Sequence, residues 1–336
     1  MARRLVWTCV AVLLLALGLG GIAIHQNDYR IREQRVSVEH GGHTLDGVLA
    51  LPEGGRGPYG LVVFVHGDGP IDATHDTFYR PIWEALAKAG YASLSWNKPG
   101  VGGSPGNWLD QSMDDRARET EDAIAWARTR PEIDGRRVGL WGASQAGWVL
   151  PKVAAHDPGL AFVIAVSPAI SWAAQGRYNL LAELSDRGAS AEETGAAVRR
   201  QDLRGELLGR GASFEEFRAA AGGELDGFTP ERWAFVARNH TADATADLRA
   251  MHGTPVLLVL AGHDRNVDAA ETEAVYRSVL PAGSLDVRHY PDATHSLVTP
   301  DIERSEVSAV LTAVFAPRSL FADGFLSDQR EFAARH

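Results

Sequence analysis

The chain has 336 residues, of which 45% are hydrophobic, so it is long enough for one large globular domain or two small ones. Acidic residues outnumber basic ones by 43 to 33, which gives a formal net charge of −10. A nucleic-acid-binding surface needs a basic patch, so this balance argues against a nucleic-acid partner.

The N-terminal segment begins with Arg3 and Arg4, which precede the uncharged run 5–24. A basic flank before an apolar run is typical of export, and about 20 residues are enough to cross a bilayer as a helix. Two interpretations stay open. One is an uncleaved signal-anchor, a transmembrane helix with the body facing the periplasm. The other is a signal peptide cleaved after Ala23, with Gly21 and Ala23 as the small residues at positions −3 and −1, which leaves a periplasmic or secreted protein. Residues 1–25 are thus predicted to be an export segment, and a membrane contact if retained.

The pattern after a polar linker at 25–35 is that of an α/β protein. A hairpin is predicted around the glycine pair 41–42, because residues on both sides of it alternate between apolar and polar. Continuous apolar runs, typical of buried parallel strands, then alternate with helical stretches. This alternation predicts an α/β fold with a mostly parallel sheet and helices on both faces.

Residues 170–250 interrupt that alternation, because they contain no apolar strand. Ser190 and Ser213 each begin a capping box, and Thr229 precedes a proline, so three helices are predicted to start there. We interpret the segment as a helical cap inserted over the sheet edge. The predicted division is an α/β core at 36–169 and 251–316, a cap at 170–250 and a C-terminal tail at 317–336.

Two serines compete for the role of a nucleophile. Ser104 lies in GGSPG, which matches the nucleophile-elbow pattern G-x-S-x-G letter by letter. The elbow needs a strand before the serine, a helix after it, and a backbone N–H on the next residue for the oxyanion hole. Ser104 is followed by Pro105, which has no N–H, and Pro99 interrupts any strand leading in. We therefore interpret 100–106 as a glycine-rich loop.

Ser144 lies in GASQAG, which misses the pattern by one letter, because Ala146 replaces the last glycine. An apolar strand precedes this serine and a helix is predicted after it. Gln145, the residue after the serine, keeps its N–H, so the requirement for an oxyanion-hole donor is also met. Ser144 is the predicted nucleophile, although an ordinary helix cap would explain a serine here as well.

A serine hydroxyl needs a base, normally a histidine that a carboxylate orients. In hydrolases with this elbow the chain order is serine, acid, histidine. Asp264 follows an apolar strand directly, at the sheet edge where parallel α/β proteins place their sites. Asp268 is the alternative acid, better explained as the cap of the next helix. His295 follows the next strand and completes the order, and the weaker candidates for the base are His252, His263 and His289.

The loop HGDGP at 66–70 ends the first long strand and is expected to supply a second oxyanion donor. The backbone N–H of Asp68 would act beside that of Gln145. A carboxylate turned toward a developing oxyanion would repel it, so the Asp68 side chain must point away. His66 is interpreted as a scaffold residue.

The motifs HGDGP, GASQAG, GHDRNV and DATHSL together resemble those of the α/β-hydrolase superfamily of serine hydrolases, across residues 36–316. HGDGP with WNKPGVGGSPG is similar to bacterial esterases and acyl-thioesterase-like hydrolases that carry an HGSGP-type loop. The resemblance implies a serine hydrolase that cleaves a carboxylester or thioester through a Ser-Asp-His triad and an acyl-enzyme. Two alternatives stay open: a serine peptidase acting on small peptides, and a non-catalytic membrane-tethered binding protein on the same fold.

Trp148, one helical turn after Ser144, and Trp172, at the start of the cap, are predicted to line a pocket for a small-molecule acyl substrate, and Trp233 within the cap is a further candidate for that pocket. Packing between cap and core would explain each of the three tryptophans at least as well. Neither a metal nor a cofactor is expected, because the mechanism needs none and no His/Asp cluster has metal-ligand spacing. The single cysteine, Cys9, lies in the N-terminal segment, so the rest of the chain forms no disulfide.

Overall fold

A computed structural model describes Trp7, Leu14 and residues 17–336. In this part of the chain one sheet is formed by β1 (Ile31–His40), β2 (His43–Pro52), β3 (Tyr59–Val65), β4 (Tyr91–Trp96), β5 (Ile133–Ala143), β6 (Phe162–Val166), β7 (Val256–His263) and β8 (Leu285–Thr294). Their order across the sheet is β1-β2-β4-β3-β5-β6-β7-β8. The pairings β1–β2 and β2–β4 are antiparallel, and all others are parallel. The predicted α/β fold with a mostly parallel sheet is confirmed.

Helices cover both faces of this sheet. They are α1 (Arg80–Ala87), α2 (Met113–Arg128), α3 (Leu150–His156), α4 (Trp172–Asp186), α5 (Ala191–Gly209), α6 (Phe214–Ala220), α7 (Pro230–Asn239), α8 (Thr245–Arg249), α9 (Ala269–Val279), α10 (Pro300–Glu303), α11 (Glu306–Phe315) and α12 (Phe325–Ala334).

The side chains of β3 show how the two faces are filled, because successive residues of a strand point to opposite sides. Leu61 and Val63 join the apolar cluster that contains α2 and α3, whereas Val62 and Phe64 join the one that contains α1 and α12. The strand is buried on both sides, which explains its uninterrupted apolar sequence.

The segment 170–250 contains the five helices α4 to α8. Ser190 and Ser213 form the two predicted capping boxes, and the Thr229 side chain accepts from the N–H of Arg232. Trp233 stacks on Phe217 at a ring distance of 4.4 Å and is buried inside this helical group. The group packs on the same apolar cluster as α2. Its division from the core as a separate cap stays a prediction.

The C-terminal tail, for which the sequence pattern gave no structure, ends in α12. The Nε1–H of Trp141 on β5 donates to Oε1 of Gln329 at 2.6 Å, and both side chains are buried. Phe325 and Phe332 of the same helix lie in the apolar cluster beneath the sheet. The tail thus covers one face of the central strands.

The predicted N-terminal membrane segment is wrong. Among the described residues, no helix is both long and apolar enough to cross a membrane. The described residues of that segment, Trp7, Leu14 and 17–26, are helical. Residues 1–6, 8–13, 15 and 16 of the predicted segment lie outside the described part of the chain. The predictions that depended on a membrane-spanning helix fall with it: the signal-anchor, the localisation that rests on such an anchor, and the membrane contact. The cleaved signal peptide at 1–25 is not tested by this finding and stays a prediction.

Candidate active site

Ser144 lies at the sharp turn between β5 and the helical segment that follows. Its φ is +57°, a strained value for a residue with a side chain, and a 3-10 helix at Ser144–Trp148 leads into α3. A Cβ on Gly142 would lie 2.6 Å from the Cβ of Ala146. With alanine at position 146, only glycine therefore fits at position 142, two residues before the serine. The local geometry is that of a nucleophile elbow.

Asp264 and His295 are in direct contact. Nδ1 of His295 lies 2.8 Å from Oδ2 and 2.9 Å from Oδ1 of Asp264. The N–H groups of Asn266 and Val267 donate to Oδ1 of the same carboxylate, at 2.8 and 2.9 Å. Asp268 accepts from the first N–H groups of α9 and is the helix cap. The structure thus places Asp264, not Asp268, against the imidazole.

Ser144 and the Asp264–His295 pair follow the carboxyl ends of β5, β7 and β8, which run parallel in one sheet. Carboxyl ends of parallel strands meet at one edge of a sheet, where α/β proteins bind their ligands. The hydrogen bonds recorded among the described residues include none between Ser144 Oγ and the His295 ring. Such bonds are often long in enzymes without substrate and shorten in the complex.

The loop after β3 lies against Ser144. A Cβ on Gly67 would be 3.6 Å from the Cβ of Ser144 and 3.4 Å from the carbonyl oxygen of Ala143. Within the described residues, the backbone N–H of Asp68 donates to no backbone carbonyl outside regular helices and strands. Gln145 is the second residue of a 3-10 helix, where N–H groups lack partners within the helix. Within the described residues, neither candidate oxyanion donor is thus engaged in such a backbone hydrogen bond.

Two buried basic side chains, Lys98 and Arg116, bind the carbonyl oxygens of this loop, and the sequence interpretation identified neither. Nζ of Lys98 donates to the carbonyl oxygens of Gly67 and Gly69, at 2.6 and 2.9 Å. Arg116 donates to the carbonyl oxygen of His66 and, at 2.6 Å, to Oε1 of Gln145. Burial, aided by the charge of Arg116, holds the pKa of Lys98 well below its usual value. These bonds fix the carbonyls of the loop and therefore the direction of its N–H groups.

The carboxylate of Asp68 is turned toward α7. Its Oδ2 lies 2.7 Å from Nη2 of Arg232, and its Oδ1 lies 3.1 Å from Nη1 and 2.9 Å from Nε2 of Gln145. Partial burial raises the pKa of this carboxyl, but the hydrogen bond and charge of Arg232, with Lys98, outweigh burial and hold the pKa below its usual value. The carboxylate is therefore ionised and paired.

His66 is a scaffold residue in its contacts. One ring nitrogen bonds the hydroxyl of Tyr79 at 3.1 Å and the other donates to the carbonyl oxygen of Trp96. Burial and the charge of Lys98 lower its pKa to about 3. A neutral imidazole with both nitrogens engaged has no free site for a serine proton.

Ser104 belongs to a different part of the molecule. Its side chain is buried, and its Oγ accepts a hydrogen bond from the N–H of Asp46 at 3.0 Å. Gly102 and Gly103 before it have φ values of +57° and +93°, which glycine adopts without strain. Ser104 does not line the cavity that contains Ser144. It holds a glycine-rich loop against β2.

A cavity of about 1020 Å³ opens beside Ser144 and extends among α4, α5 and α7. Trp148 and Trp172 stack at a ring distance of 4.9 Å and form part of its wall. The indole of Trp148 also donates to the carbonyl oxygen of Ile170 at 2.7 Å, so this side chain both packs and faces the cavity. Over the part of the chain that the structure describes, no group of His, Cys, Asp and Glu side chains is arranged to hold a metal.

Comparison with curated proteins finds relatives over part of the chain. A thiohydrolase of Arthrinium phaeospermum is 33% identical over 94 residues, which are 27% of this chain and 30% of that protein. A polyketide transferase of a Penicillium species is 31% identical over 132 residues, which are 38% of this chain and 42% of that protein. The chain thus spans less than half of the length of these relatives.

Comparison with solved structures finds the same fold over nearly the whole chain. An esterase of Pyrococcus furiosus superposes with a TM-score of 0.59 at 15% identity, covering 91% of each chain. A family model described as serine aminopeptidase, S33, matches residues 56–301, well over half of the sequence. The chain is therefore an α/β-hydrolase and belongs to the hydrolase family described as serine aminopeptidase, S33.

Proposed function

We propose that this protein is a serine hydrolase that cleaves a carboxylester or thioester by covalent acyl transfer. The observation that carries the proposal is the strained turn at Ser144 on the same sheet edge as the Asp264–His295 pair. A serine at such a turn, with a carboxylate-bound imidazole at the same sheet edge, is the combination of groups that serine hydrolases use to activate a hydroxyl as nucleophile.

In the proposed first step, Ser144 Oγ attacks the substrate carbonyl carbon while Nε2 of His295 takes the hydroxyl proton. Asp264 holds Nδ1–H of the ring, which fixes the tautomer and stabilises the imidazolium. The N–H groups of Asp68 and Gln145 bind the oxyanion, an interaction worth about 3–4 kcal/mol per donor in other enzymes. His295 then protonates the leaving alcohol or thiol, and water, activated by the same histidine, releases the acid.

The substrate is proposed to be a small acyl compound. The cavity beside Ser144 is walled partly by Trp148 and Trp172, and an apolar wall of this kind suits an acyl chain. The names of the similar proteins, a thiohydrolase and an esterase, agree with cleavage of thioesters or esters. The proposed mechanism uses neither a metal nor a cofactor.

A serine peptidase acting on small peptides is the second candidate, and the family description as serine aminopeptidase favours it. The same nucleophile, base and oxyanion donors would serve an amide bond. The difference lies in the leaving group, which is an amine in place of an alcohol or a thiol.

A substrate panel tests the proposal. Wild-type protein is assayed with p-nitrophenyl acetate, butyrate and octanoate, an acyl thioester and an aminoacyl p-nitroanilide, and is labelled with a fluorophosphonate probe. We expect hydrolysis of esters or the thioester, and we expect Ser144→Ala to abolish both turnover and labelling. Ser104→Ala is the matched control and keeps both. Labelling that survives Ser144→Ala and is lost in Ser104→Ala would overturn the proposal, and turnover of the anilide alone would favour the peptidase.

A further inference from the structure

The proposed mechanism uses the backbone N–H of Asp68, in the loop after β3, but gives no role to the carboxylate of this residue. Its backbone N–H is the proposed oxyanion donor, so its side chain places a negative charge close to the point where negative charge develops. An unpaired carboxylate there would oppose the oxyanion, because like charges repel strongly where water is partly excluded. Something must neutralise it or hold it aside.

Arg232 of α7 meets that need. Its two terminal nitrogens bind the two carboxylate oxygens of Asp68, at 3.1 and 2.7 Å, in the paired geometry that arginine makes with carboxylates. The guanidinium is itself held, since it lies 5.0 Å from the ring centre of Phe235 and 5.8 Å from that of Trp108. Its direction toward Asp68 is therefore set by packing on two aromatic rings.

The Asp68 carboxylate that Arg232 binds is also hydrogen-bonded to Gln145, the second proposed oxyanion donor. Nε2 of Gln145 donates to the Asp68 carboxylate at 2.9 Å, and Arg116 donates to Oε1 of Gln145 at 2.6 Å. One hydrogen-bonded chain thus runs from Arg116 in α2, through the side chains of both donor residues, to Arg232 in α7. A displacement of the Arg232 side chain would therefore alter the hydrogen bonds of both Asp68 and Gln145, the two residues whose N–H groups would bind the oxyanion.

Resting on the proposed function, we propose that Arg232 is a positioning residue of the oxyanion hole, which turns the Asp68 carboxylate aside and neutralises it. Arg232 belongs to the helical group at 170–250 and Asp68 to the sheet, so the helical group completes the electrostatics of the site. Without Arg232, the carboxylate of Asp68 is free to turn toward Ser144, and the transition state loses stabilisation.

A rescue experiment tests this inference. Arg232→Met removes the charge but keeps length and apolar contact, and it is expected to lower kcat for an ester about tenfold to a hundredfold with little change in KM. Asp68→Asn in the same chain removes the charge that needed neutralising. The double variant is therefore expected to recover to within about threefold of Asp68→Asn alone. Arg232→Lys keeps a positive charge and retains part of the rate.

Arg238→Met is the matched control. Arg238 lies on the same helix and donates to the carbonyl oxygen of Leu109 at 3.0 Å, but it makes no contact with Asp68. Its replacement is expected to leave kcat unchanged. Circular dichroism melts of all variants show whether any of them loses the fold.

The pH dependence of kcat in Arg232→Met and in the wild type gives a second test of the inference. The charged groups facing the Asp68 carboxylate are Arg232, Lys98 and, through Gln145, Arg116. Losing Arg232 raises the pKa of Asp68, because burial is then opposed by fewer charges. The ratio of Arg232→Met to wild-type kcat should therefore rise as pH falls and Asp68 becomes protonated.

The outcomes are separable. Hydrolysis that survives Ser144→Ala overturns the proposed function and this inference with it. Hydrolysis that depends on Ser144 but is unchanged in Arg232→Met overturns the inference alone. A loss in Arg232→Met that Asp68→Asn does not rescue also overturns it, since Arg232 then acts through something other than the Asp68 charge.

Discussion

Nδ1 of His295 lies 2.8 Å from Oδ2 of Asp264, although the two residues are 31 positions apart in the chain. They meet because each follows the carboxyl end of its strand, and those strands, β7 and β8, are neighbours and run parallel. The side chain of Asp264 is nearly inaccessible, at 3% exposed, and that of His295 keeps 14%. A buried carboxylate therefore holds an imidazole that keeps some solvent exposure.

Asp264→Asn is expected to lower kcat by roughly a thousandfold to ten-thousandfold, because an amide no longer enforces the productive tautomer of the imidazole. Ester hydrolysis at neutral pH measures the loss. Asp268→Ala is the control, since Asp268 caps α9. That change should cost about 1 kcal/mol of unfolding free energy and leave kcat nearly unchanged. An equal loss of kcat in both variants would contradict the assignment of Asp264.

Gly147→Ala is expected to destabilise the fold and reduce activity. A Cβ there would lie 2.5 Å from the carbonyl oxygen and 2.7 Å from the nitrogen of Ala169, so the backbone must shift. Crowding of this kind costs about 1–3 kcal/mol, measured by urea unfolding. Gly205→Ala, in α5 with no atom within 4 Å of the added carbon, should instead stabilise by up to about 1 kcal/mol. Equal effects would show that space at Gly147 is unimportant.

Trp172→Ala is expected to change chain-length preference, because this indole forms part of the cavity wall beside Trp148. KM for p-nitrophenyl octanoate should rise severalfold, whereas KM for the acetate should change little. Trp233→Ala removes a buried tryptophan of the helical group that does not line this cavity, and should lower the melting temperature without that selectivity. A uniform KM change across chain lengths would argue against a substrate-binding role for Trp172.

His66 is expected to make the fold sensitive to acid. Its pKa is about 3 in the folded state, below the usual value of 6.5, chiefly because of burial. Between those values the unfolded chain binds a proton that the folded protein does not, so stability falls as pH drops. The slope from this group is about 1.4 kcal/mol per pH unit. Urea unfolding of His66→Gln from pH 7.5 to 4 should show a shallower decline than wild type, and parallel curves would refute this.

The elements that the sequence could predict are those with a local signal. Apolar strands alternating with helices gave the sheet, and the surroundings of Ser144 and Ser104 separated an elbow-like turn from a loop. The position of Arg116 in the sequence also indicated a special role. It falls on the buried face of α2 with Met113 and Ala117, where a charged side chain is stable only if it is paired or hydrogen-bonded.

The contact of Arg232 with Asp68 had no local signal at all. The two residues are 164 positions apart, and their meeting depends on how the helical group lies over the sheet, which no periodicity encodes. The N-terminal prediction failed for a different reason. The uncharged apolar run suggested a membrane span, whereas no helix among the described residues is both long and apolar enough to be one.

The strand order described above has a consequence for refolding. Ser144, Asp264 and His295 are delivered by three strands that pair through contacts remote in sequence, and such contacts form slowly. We therefore expect helical circular dichroism to recover earlier after dilution from denaturant than the proposed ester hydrolysis, because the proposed site is complete only when all three strands are in place.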